Sequence, residues 1–269
     1  MQTHHRQAER WHDVQLVARV DEILRTQPDV GLYGLIDGTG DSQLVEPFFL
    51  LEPEAAYEPP FLGTALEHCL PLSPYLIELP NAPRPFLQQW GCLSHFNAVW
   101  YLSAFPLFQQ AEHWRSLIHA ITPEGSSALF RFWNGSILTP YVNACSAEEV
   151  NALLAPCSRI FLPHPQRQWQ EMLLLPPDSG QLQTGADNPW WQIQAAHLAA
   201  FQPAFERLLV EELQDRVWRE HPQALAQVYP ARIPALISQV VQQARAQGCA
   251  HEQEISHYVL QVFAGFHPQ

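Results

Sequence analysis

The stretch GLYGLIDGTGDS, residues 31–42, places the carboxylate of Asp37 after a run typical of a β-strand and before a glycine-rich turn. Three kinds of catalytic loop have a carboxylate or glycines in such a place. A phosphatase loop of the Asp-x-Asp-Gly-Thr type needs a second carboxylate where this chain has Leu35, and an aspartic protease loop needs Asp-Thr-Gly, which Gly38 interrupts here. A phosphate-binding loop needs a third glycine or a Gly-Lys ending, and the chain has no Lys. We therefore expect Asp37 to be structural, accepting hydrogen bonds from turn amides or pairing with an Arg.

Histidine and serine form no recognisable catalytic or metal-binding pattern. The 13 His include no His-x-x-x-His or His-Glu-x-x-His pair. His113 and His119 are six residues apart, which turns them to different faces of a helix. No Gly-x-Ser-x-Gly motif is present. We predict no catalytic residue, no metal, no cofactor and no small-molecule substrate, with a hydrolase that uses Asp37 and a distant His as the alternative.

Composition favours a protein that contacts other proteins. The 269 residues include 27 acidic residues and 14 Arg, and the formal net charge is -13. Phosphate backbones and anionic lipid headgroups should be repelled, so we expect no nucleic acid partner. Because no run of about 18 apolar residues is present, we also expect no membrane insertion. Only 15% of residues are charged, which leaves an exterior suited to protein contacts.

Cysteine usage and the N-terminus indicate the compartment. The five Cys are widely spaced and include no Cys-x-x-Cys, which is typical of free thiols in a reducing environment. The first residues carry no apolar segment of the signal-peptide type. We therefore expect a cytoplasmic protein.

Residues 1–178 have the pattern of one domain that combines helices with a sheet. Apolar residues at helical spacing predict a helix over residues 9–27. Strands are predicted at residues 30–37, 44–51, 75–79, 96–103, 128–133 and 169–175. A helix over about residues 107–121 lies between the fourth strand and the fifth, and such a crossover can join parallel strands. We predict an α+β fold whose N-terminal domain contains a mixed sheet.

Around residues 176–189 the composition turns to Pro, Gly, Asp and Ser, which predicts a linker at residues 179–188, after which the strand pattern ends. Residues 189–269 are predicted to form a helical lobe. Apolar stripes with helical spacing occur at residues 205–217, 233–244 and 255–263. Gly248 lies where a helix C-cap is needed between the last two stripes. Three helices of this length should pack as a small bundle.

The predicted strand at residues 128–133 would place an Arg inside the domain. Strand alternation puts Arg131 and Trp133 on one face, and a buried Arg requires a carboxylate. We predict that Arg131 pairs with Asp37 or Glu78 and ties the strands together.

Five motifs in register resemble one known family. They are LYGLIDG at residues 32–38, LSPYLIEL at residues 72–79, QQWGCLSHF at residues 88–96, LFRFWNGSIL at residues 129–138, and the C-terminal helical segments up to residue 266. Together they make the chain similar to type VI secretion effector chaperones, also called adaptor proteins, which carry the domain of unknown function 4123. Asn134 and Gly135 replace the Asp-Pro of that family, so any role of the family's Asp is not carried over.

The resemblance implies a cytoplasmic adaptor without enzymatic activity. Such a protein binds one secreted effector, a toxin, stabilises it and promotes its loading onto the secretion spike protein. A few apolar and aromatic anchors should supply most of the affinity, and we expect part of this surface on the helical lobe. The expected partner-binding residues are Trp133, Trp190, Trp191, Leu209, Leu213, Val217, Ile237 and Val241.

Two further interpretations follow from the same residues. The pair Trp190 and Trp191 could instead pin the two predicted domains together, which is the interpretation we favour. A structural component of the secretion machine, which would assemble with itself, is a further alternative to the adaptor.

Overall fold

The structure is a computed structural model and describes residues 9–38, 44–79, 97–164, 168–174, 182, 189–226, 228–249 and 252–265. The chain divides into two compact units, unit 1 at Met1–Ala199 and unit 2 at Ala200–Gln269. The predicted class, α+β with a helical C-terminal region, is confirmed. Of the predicted linker at residues 179–188, only residue 182 lies within the described residues, and residues 189–199 group with unit 1.

Unit 1 contains one large sheet. Among the described residues its seven strands follow the spatial order β1-β9-β8-β5-β2-β4-β3. They are β1 (Glu9–His12), β2 (Gly31–Ile36), β3 (Ala56–Glu58), β4 (Tyr75–Leu79), β5 (Ala98–Ser103), β8 (Arg159–His164) and β9 (Gln168–Leu173). Two further strands, β6 (His119–Ile121) and β7 (Ser127–Leu129), form a separate hairpin.

The neighbouring strands of this sheet are antiparallel throughout the described residues. The parallel pair that the crossover helix suggested is not found among these strands. The next strand after that helix is β6, which pairs with β7 and does not enter the sheet. The apolar run of the crossover therefore covers the sheet without adding a parallel strand to it.

The centre of the sheet is packed around one glycine. Gly34 of β2 lies opposite Trp100 on β5 and Ile77 on β4. A Cβ atom at Gly34 would lie 2.6 Å from the ring of Trp100. A glycine is therefore required for the fully buried indole to lie across β2.

Helices cover both faces of the sheet. In unit 1 they are α1 (Asp13–Thr26), α2 (Val45–Leu51), α3 (Leu107–Ser116), α4 (Gly135–Ala144) and α5 (Ala147–Leu153). The first two pack on one face, in a core cluster that includes Leu16, Val20, Leu32, Phe48, Ile77, Trp100, Phe161 and Trp169. On the other face, the ring of Tyr101 contacts Trp114 of α3 at a centroid distance of 5.7 Å.

Several predicted elements of unit 1 differ in the structure, among them the first strand-like run after β2 and the N-terminal helix. Residues 44–51 were predicted as a strand, but residues 45–51 form α2, because Leu44, Phe48 and Glu52 are buried at a spacing of four residues. Residues 9–27 were predicted as one helix, but they begin with β1. The backbone of β1 pairs with β9 and extends the sheet by one strand.

Unit 2 is helical in its described residues. The helix α6 (Ala195–Glu220) continues into it, followed by α7 (Pro222–Leu225), α8 (Ile233–Ala246) and α9 (Glu252–Ala264). The three predicted stripes thus lie on helices, as expected. Gly248 has φ of +92°, its N–H bonds to Arg245 O, and Cys249 N–H bonds to Ala244 O, which together form a Schellman C-cap. No described helix is both long enough and apolar enough to cross a membrane.

Candidate functional site

Asp37 is buried at the end of β2 and pairs with Arg131. Arg131 Nη2 donates to Asp37 Oδ2 over 3.3 Å, and the Asp37 side chain is only 3% exposed, whereas that of Arg131 is 42% exposed. We proposed two carboxylates as possible ion-pair partners of Arg131, and in the structure the partner is Asp37. Glu78 accepts a hydrogen bond from the Tyr33 hydroxyl over 3.2 Å. Burial and the neighbouring Glu78 raise the pKa of Tyr33 to about 12.

Gly38 fixes the path of the chain beside this pair. A Cβ atom at Gly38 would lie 1.7 Å from the carbonyl oxygen of Ser73, so the loop approaches the segment before β4 more closely than any larger residue allows. The Asp37 N–H bonds to Asn97 O over 2.9 Å, just before β5. The described part of that stretch, residues 31–38, therefore joins three neighbouring strands.

Arg131 lies on a turn and not on a strand. The strand predicted at residues 128–133 ends at Leu129 as β7, so the alternation that placed Arg131 and Trp133 on one face is wrong. Phe132 and Trp133 are both buried. The next residue, Asn134, is the N-cap of α4 and accepts from Ser136 N–H over 2.9 Å. An Asn can supply the same cap as the family's Asp.

The three Trp of the predicted partner surface are fixed within unit 1. Trp133 is 2% exposed and Trp191 is 5% exposed, so neither presents its ring to a partner in this structure. Trp191 Nε1 donates to the Tyr141 hydroxyl over 2.6 Å. Trp190, which is half-buried, donates to Ser116 Oγ over 2.9 Å. The pair anchors the chain after the linker to α3 and α4 of unit 1.

The predicted partner residues of the helical lobe form the core of unit 2. Leu213, Val217, Ile237 and Val241 are each 3% exposed or less. The prediction that they bind a partner is therefore corrected, because these stripes pack against each other. Leu209 is half-buried at the margin of the same cluster. An amphipathic stripe in a small bundle is used first for the bundle's own core.

One group of metal-ligand types occurs within the described residues and was missed by sequence reasoning. It comprises Cys145, Glu149 and His197, whose ligand atoms all lie within 4.8 Å of one another. His197 Nε2 lies 3.5 Å from Glu149 Oε1 and 3.7 Å from Cys145 Sγ. The one sequence signal for it is the Ser-x-x-Glu pattern of residues 146–149, which is typical of a helix N-terminus.

The hydrogen bonds of this cluster show that two of its side chains cap the N-termini of two helices. In α5, the Ser146 side chain accepts from Glu149 N–H, and the Glu149 carboxylate accepts from Ser146 N–H over 2.7 Å. This second bond is the main reason why the pKa of Glu149 is lowered. In α6, His197 Nδ1 accepts from Gln194 N–H over 3.1 Å, which corresponds to the bond from Ser146 N–H to Glu149 in α5. The two capping side chains, Glu149 and His197, then face each other.

The tautomer of His197 disfavours a metal. A backbone N–H can only donate, so Nδ1 of His197 is an acceptor and the ring proton is on Nε2. That proton points at Glu149 and Cys145, in the place where a metal would need a lone pair. A metal-bound His normally donates its other ring nitrogen to an acceptor, and here Nδ1 faces a donor. The donor set therefore fits capping better than metal binding.

The same geometry disfavours thiol catalysis. A Cys nucleophile needs a base that lowers its pKa, but burial and the nearby Glu149 raise the pKa of Cys145 to about 12. Glu149 lies on the same ring nitrogen of His197 as the thiol, so it does not orient the ring as the third member of a triad would. Within the described residues, Cys69, Cys145, Cys157 and Cys249 are free thiols.

A cavity of about 320 Å³ lies in unit 1 at the C-terminal end of α3. Its charged lining residue is Arg115, which also donates to Glu58 Oε2 of β3 over 2.8 Å. This guanidinium is therefore already engaged at the end of the sheet.

A different surface lies on the other face of the same sheet end. We call it the α2–β3 patch, and its residues are Glu46, Phe49, Leu50, Glu54, Tyr57 and Tyr75. Leu50 is 75% exposed and Tyr57 is 51% exposed. The rings of Phe49, Tyr57 and Tyr75 contact one another at centroid distances of 5.1 to 5.9 Å. Large apolar side chains thus remain accessible beside ordered aromatic rings.

The surroundings of the patch are acidic. Between residues 26 and 83 the sequence has nine acidic residues and no Arg. Glu46 and Glu54 are exposed and form no ion pair with any described residue. The run of acidic residues without Arg was therefore a signal for this surface in the sequence. The exposure of Leu50 and Tyr57 could not be read from the sequence.

Comparison with known proteins identifies one family match. Residues 32–152, from β2 into α5, match the model of DUF4123, a domain of unknown function. A search of curated proteins and a search of solved structures found no match. The matched segment includes the whole α2–β3 patch, Asp37, Arg131 and the Asn134 cap, and it excludes unit 2.

Proposed function

We propose that this chain is an adaptor of a type VI secretion system. It binds one toxin in the cytoplasm, keeps it soluble and promotes its loading onto the secretion spike protein, without catalysing a reaction. The family resemblance of the sequence motifs suggests this role, and the match of residues 32–152 to DUF4123 agrees with the family to which those motifs point.

The observation that carries the proposal is the exposed apolar surface within the matched segment. Among the described residues, Leu50, Tyr57, Leu62 and Leu72 are each more than 40% exposed, and all four precede β4. Of these, Tyr57 contacts the rings of Phe49 and Tyr75, and contiguous exposed apolar surface is typical of a site that binds another protein. An adaptor requires such a site, because its work consists of contact with another chain.

The position of Asp37 supports this proposal over the hydrolase alternative. A catalytic carboxylate must reach its substrate, whereas Asp37 is 2% exposed and is engaged by Arg131 and the strand ends. In the group of Cys145, Glu149 and His197, the last two side chains accept hydrogen bonds at the N-termini of two helices. We assign both groups to the stability of unit 1.

Co-expression tests the proposed function. The chain is produced with the toxin encoded next to it, and the soluble fraction of toxin is compared with that of toxin produced alone. We expect more soluble toxin, and a complex of defined mass by size-exclusion chromatography with light scattering. A toxin that is equally soluble alone and forms no complex would contradict the proposal.

Two controls separate the alternatives. Light scattering of the isolated chain distinguishes the adaptor from a structural component, which would assemble with itself. The activity of the purified wild type towards model phosphate and peptide esters, compared with Asp37→Ala, addresses the hydrolase. Turnover that is abolished by this substitution would replace the adaptor with an enzyme.

A further inference from the structure

We propose that the α2–β3 patch is the docking surface of this chain, and that it receives a partner segment in which Lys or Arg side chains lie beside large apolar ones. This inference rests on the proposed function and names the chemistry of the partner. Its grounds are the exposure, the ring geometry and the charge of six residues on α2, β3, β4 and the turn between α2 and β3.

The apolar part of the patch is ordered before a partner arrives. Tyr57 lies on the terminal strand of the described sheet and contacts the rings of Phe49 and Tyr75 at 5.1 and 5.7 Å. Both neighbours are partly buried and pack against the core cluster that contains Phe48. A ring held in this way loses little freedom on binding, so its contacts contribute affinity at a small entropic cost.

The patch also contains two exposed carboxylates. Glu46 is three residues before Phe49 and four before Leu50, so the three side chains share one face of α2. Glu54 lies in the turn between α2 and β3. We expect a Lys or Arg of the partner to contact the exposed carboxylates of Glu46 and Glu54 and the accessible ring of Tyr57. Both kinds of contact attract a cation.

Charge also indicates which kind of partner can bind the α2–β3 patch. Unit 1 contains 20 acidic residues and nine Arg, whereas unit 2 contains seven and five. In a symmetric pair, a second copy of this chain would set the carboxylates of the patch against each other, and its net charge of -13 opposes association. A basic segment of a different protein removes this repulsion, and long-range attraction would raise its association rate.

The test measures a basic peptide against patch variants of the full chain. The probe is a fluorescein-labelled peptide of 12 residues in which Lys and Arg alternate with Leu and Phe, with a matched peptide that has Glu at each basic position. Fluorescence anisotropy at physiological salt gives the affinities. The variants are Glu46→Gln with Glu54→Gln, Tyr57→Ala, and Leu50→Ser. The matched control is Glu211→Gln with Glu212→Gln, which removes two exposed charges from α6.

We expect the basic peptide to bind the wild type and the acidic peptide not to bind. The two Gln substitutions at the patch should weaken binding about tenfold, and Tyr57→Ala by at least about tenfold, because it removes an anchor. The control pair should change the affinity less than about twofold. The inference is overturned if the control pair weakens binding as much as the patch pair, or if neither Tyr57→Ala nor Leu50→Ser has an effect.

The same variants, co-expressed with the toxin, separate the two proposals. If the toxin complex forms and survives every patch substitution, the docking surface is wrong while the adaptor function stands. If the patch binds the basic peptide as expected but no toxin complex forms, the surface stands and the adaptor function fails. A dimer of the wild type that Tyr57→Ala dissociates would assign the patch to a second copy and overturn the inference.

Discussion

The stripes of unit 2 and the α2–β3 patch of unit 1 differ in what their apolar residues contact. In unit 2, Ile237 and Val217 have no exposed surface, and they lie in a cluster drawn from several helices of that unit. In the patch, Leu50 and Tyr57 are each more than half exposed, and Glu46 and Glu54 form no ion pair with any described residue. The sequence shows the first pattern clearly and the second hardly at all. A strong amphipathic period indicates a core, whereas a partner surface is recognised by apolar side chains that the fold leaves accessible.

The largest effect on stability is expected from a substitution in the core of unit 2. Ile237→Ala removes most of a fully buried side chain and should destabilise unit 2 by about 2–5 kcal/mol. Hydrogen exchange should show lost protection in α8 and α9. Affinity for the basic peptide should stay within about twofold of the wild type. A parallel loss of peptide affinity would mean that unit 2 contributes to the docking surface.

Acid should weaken unit 1 through one buried histidine. His113 of α3 has its Nε2 2.9 Å from Leu153 O, and burial lowers its pKa from 6.5 to about 4. Because the folded pKa is the lower one, the unfolded chain takes up the proton first. Stability is therefore complete above pH 6.5 and falls by about 3 kcal/mol as the pH drops from 6.5 to 4.

The measurement for this prediction is urea unfolding of the wild type and His113→Gln across pH 7 to 4. Gln keeps a donor for the Leu153 carbonyl but does not titrate. The stability of the variant should depend less steeply on pH in this window. Curves of equal slope for the two proteins would show that His113 is not the group responsible.

A smaller loss of stability is expected from a substitution at the centre of the sheet. Gly34→Ala places a Cβ atom 2.6 Å from the ring of Trp100, so the indole must shift within a close-packed interior. We expect a loss of about 1–3 kcal/mol, measured by urea unfolding, together with a change in tryptophan fluorescence. Unchanged stability would indicate that the sheet centre adapts without cost.

The N-cap of α4, Asn134, should contribute still less to the stability of unit 1. Asn134→Ala removes the acceptor for Ser136 N–H and should cost about 1 kcal/mol. Asn134→Asp introduces the Asp of the family that the sequence resembles and should be as stable as the wild type, since a carboxylate also accepts this bond. A loss of stability in the Asp variant would show that Asn134 has a role other than capping.

Local patterns accounted for much of the fold. The helical period of residues 205–217, 233–244 and 255–263 identified three helices of unit 2, and Gly248 marked a cap, because both signals depend on near neighbours. The apolar run of residues 44–51 is compatible with a strand or a helix, and only the four-residue spacing of its buried side chains separates them. Partners at long range, such as β1 with β9, left no local signal.

The candidate sites were less predictable. Arg131 was expected to reach a carboxylate from a strand, and it reaches Asp37 from a turn, so the pair was proposed from an alternation that the structure does not have. The capping group of Cys145, Glu149 and His197 joins positions about 50 residues apart. Patch residues such as Leu50 and Tyr57 resemble core residues by type, and exposure is a property of the folded chain.

The smallest effect on stability is expected at the patch itself. Tyr57→Ala alters a side chain that is 51% exposed and should change the free energy of unfolding by less than about 1 kcal/mol. This is the reverse of Ile237→Ala, which should affect stability and spare binding. A large loss of stability in Tyr57→Ala would place the ring in the core and remove it from the docking surface.

The most direct test of the account is the affinity of the purified toxin for the wild type and for the variant Glu46→Lys with Glu54→Lys, measured by isothermal titration calorimetry. The account predicts tight binding to the wild type and at least about a hundredfold weaker binding to the variant, because two attractive contacts become repulsive. Equal affinity of the two proteins would contradict the docking surface, and no binding to either would contradict the adaptor function.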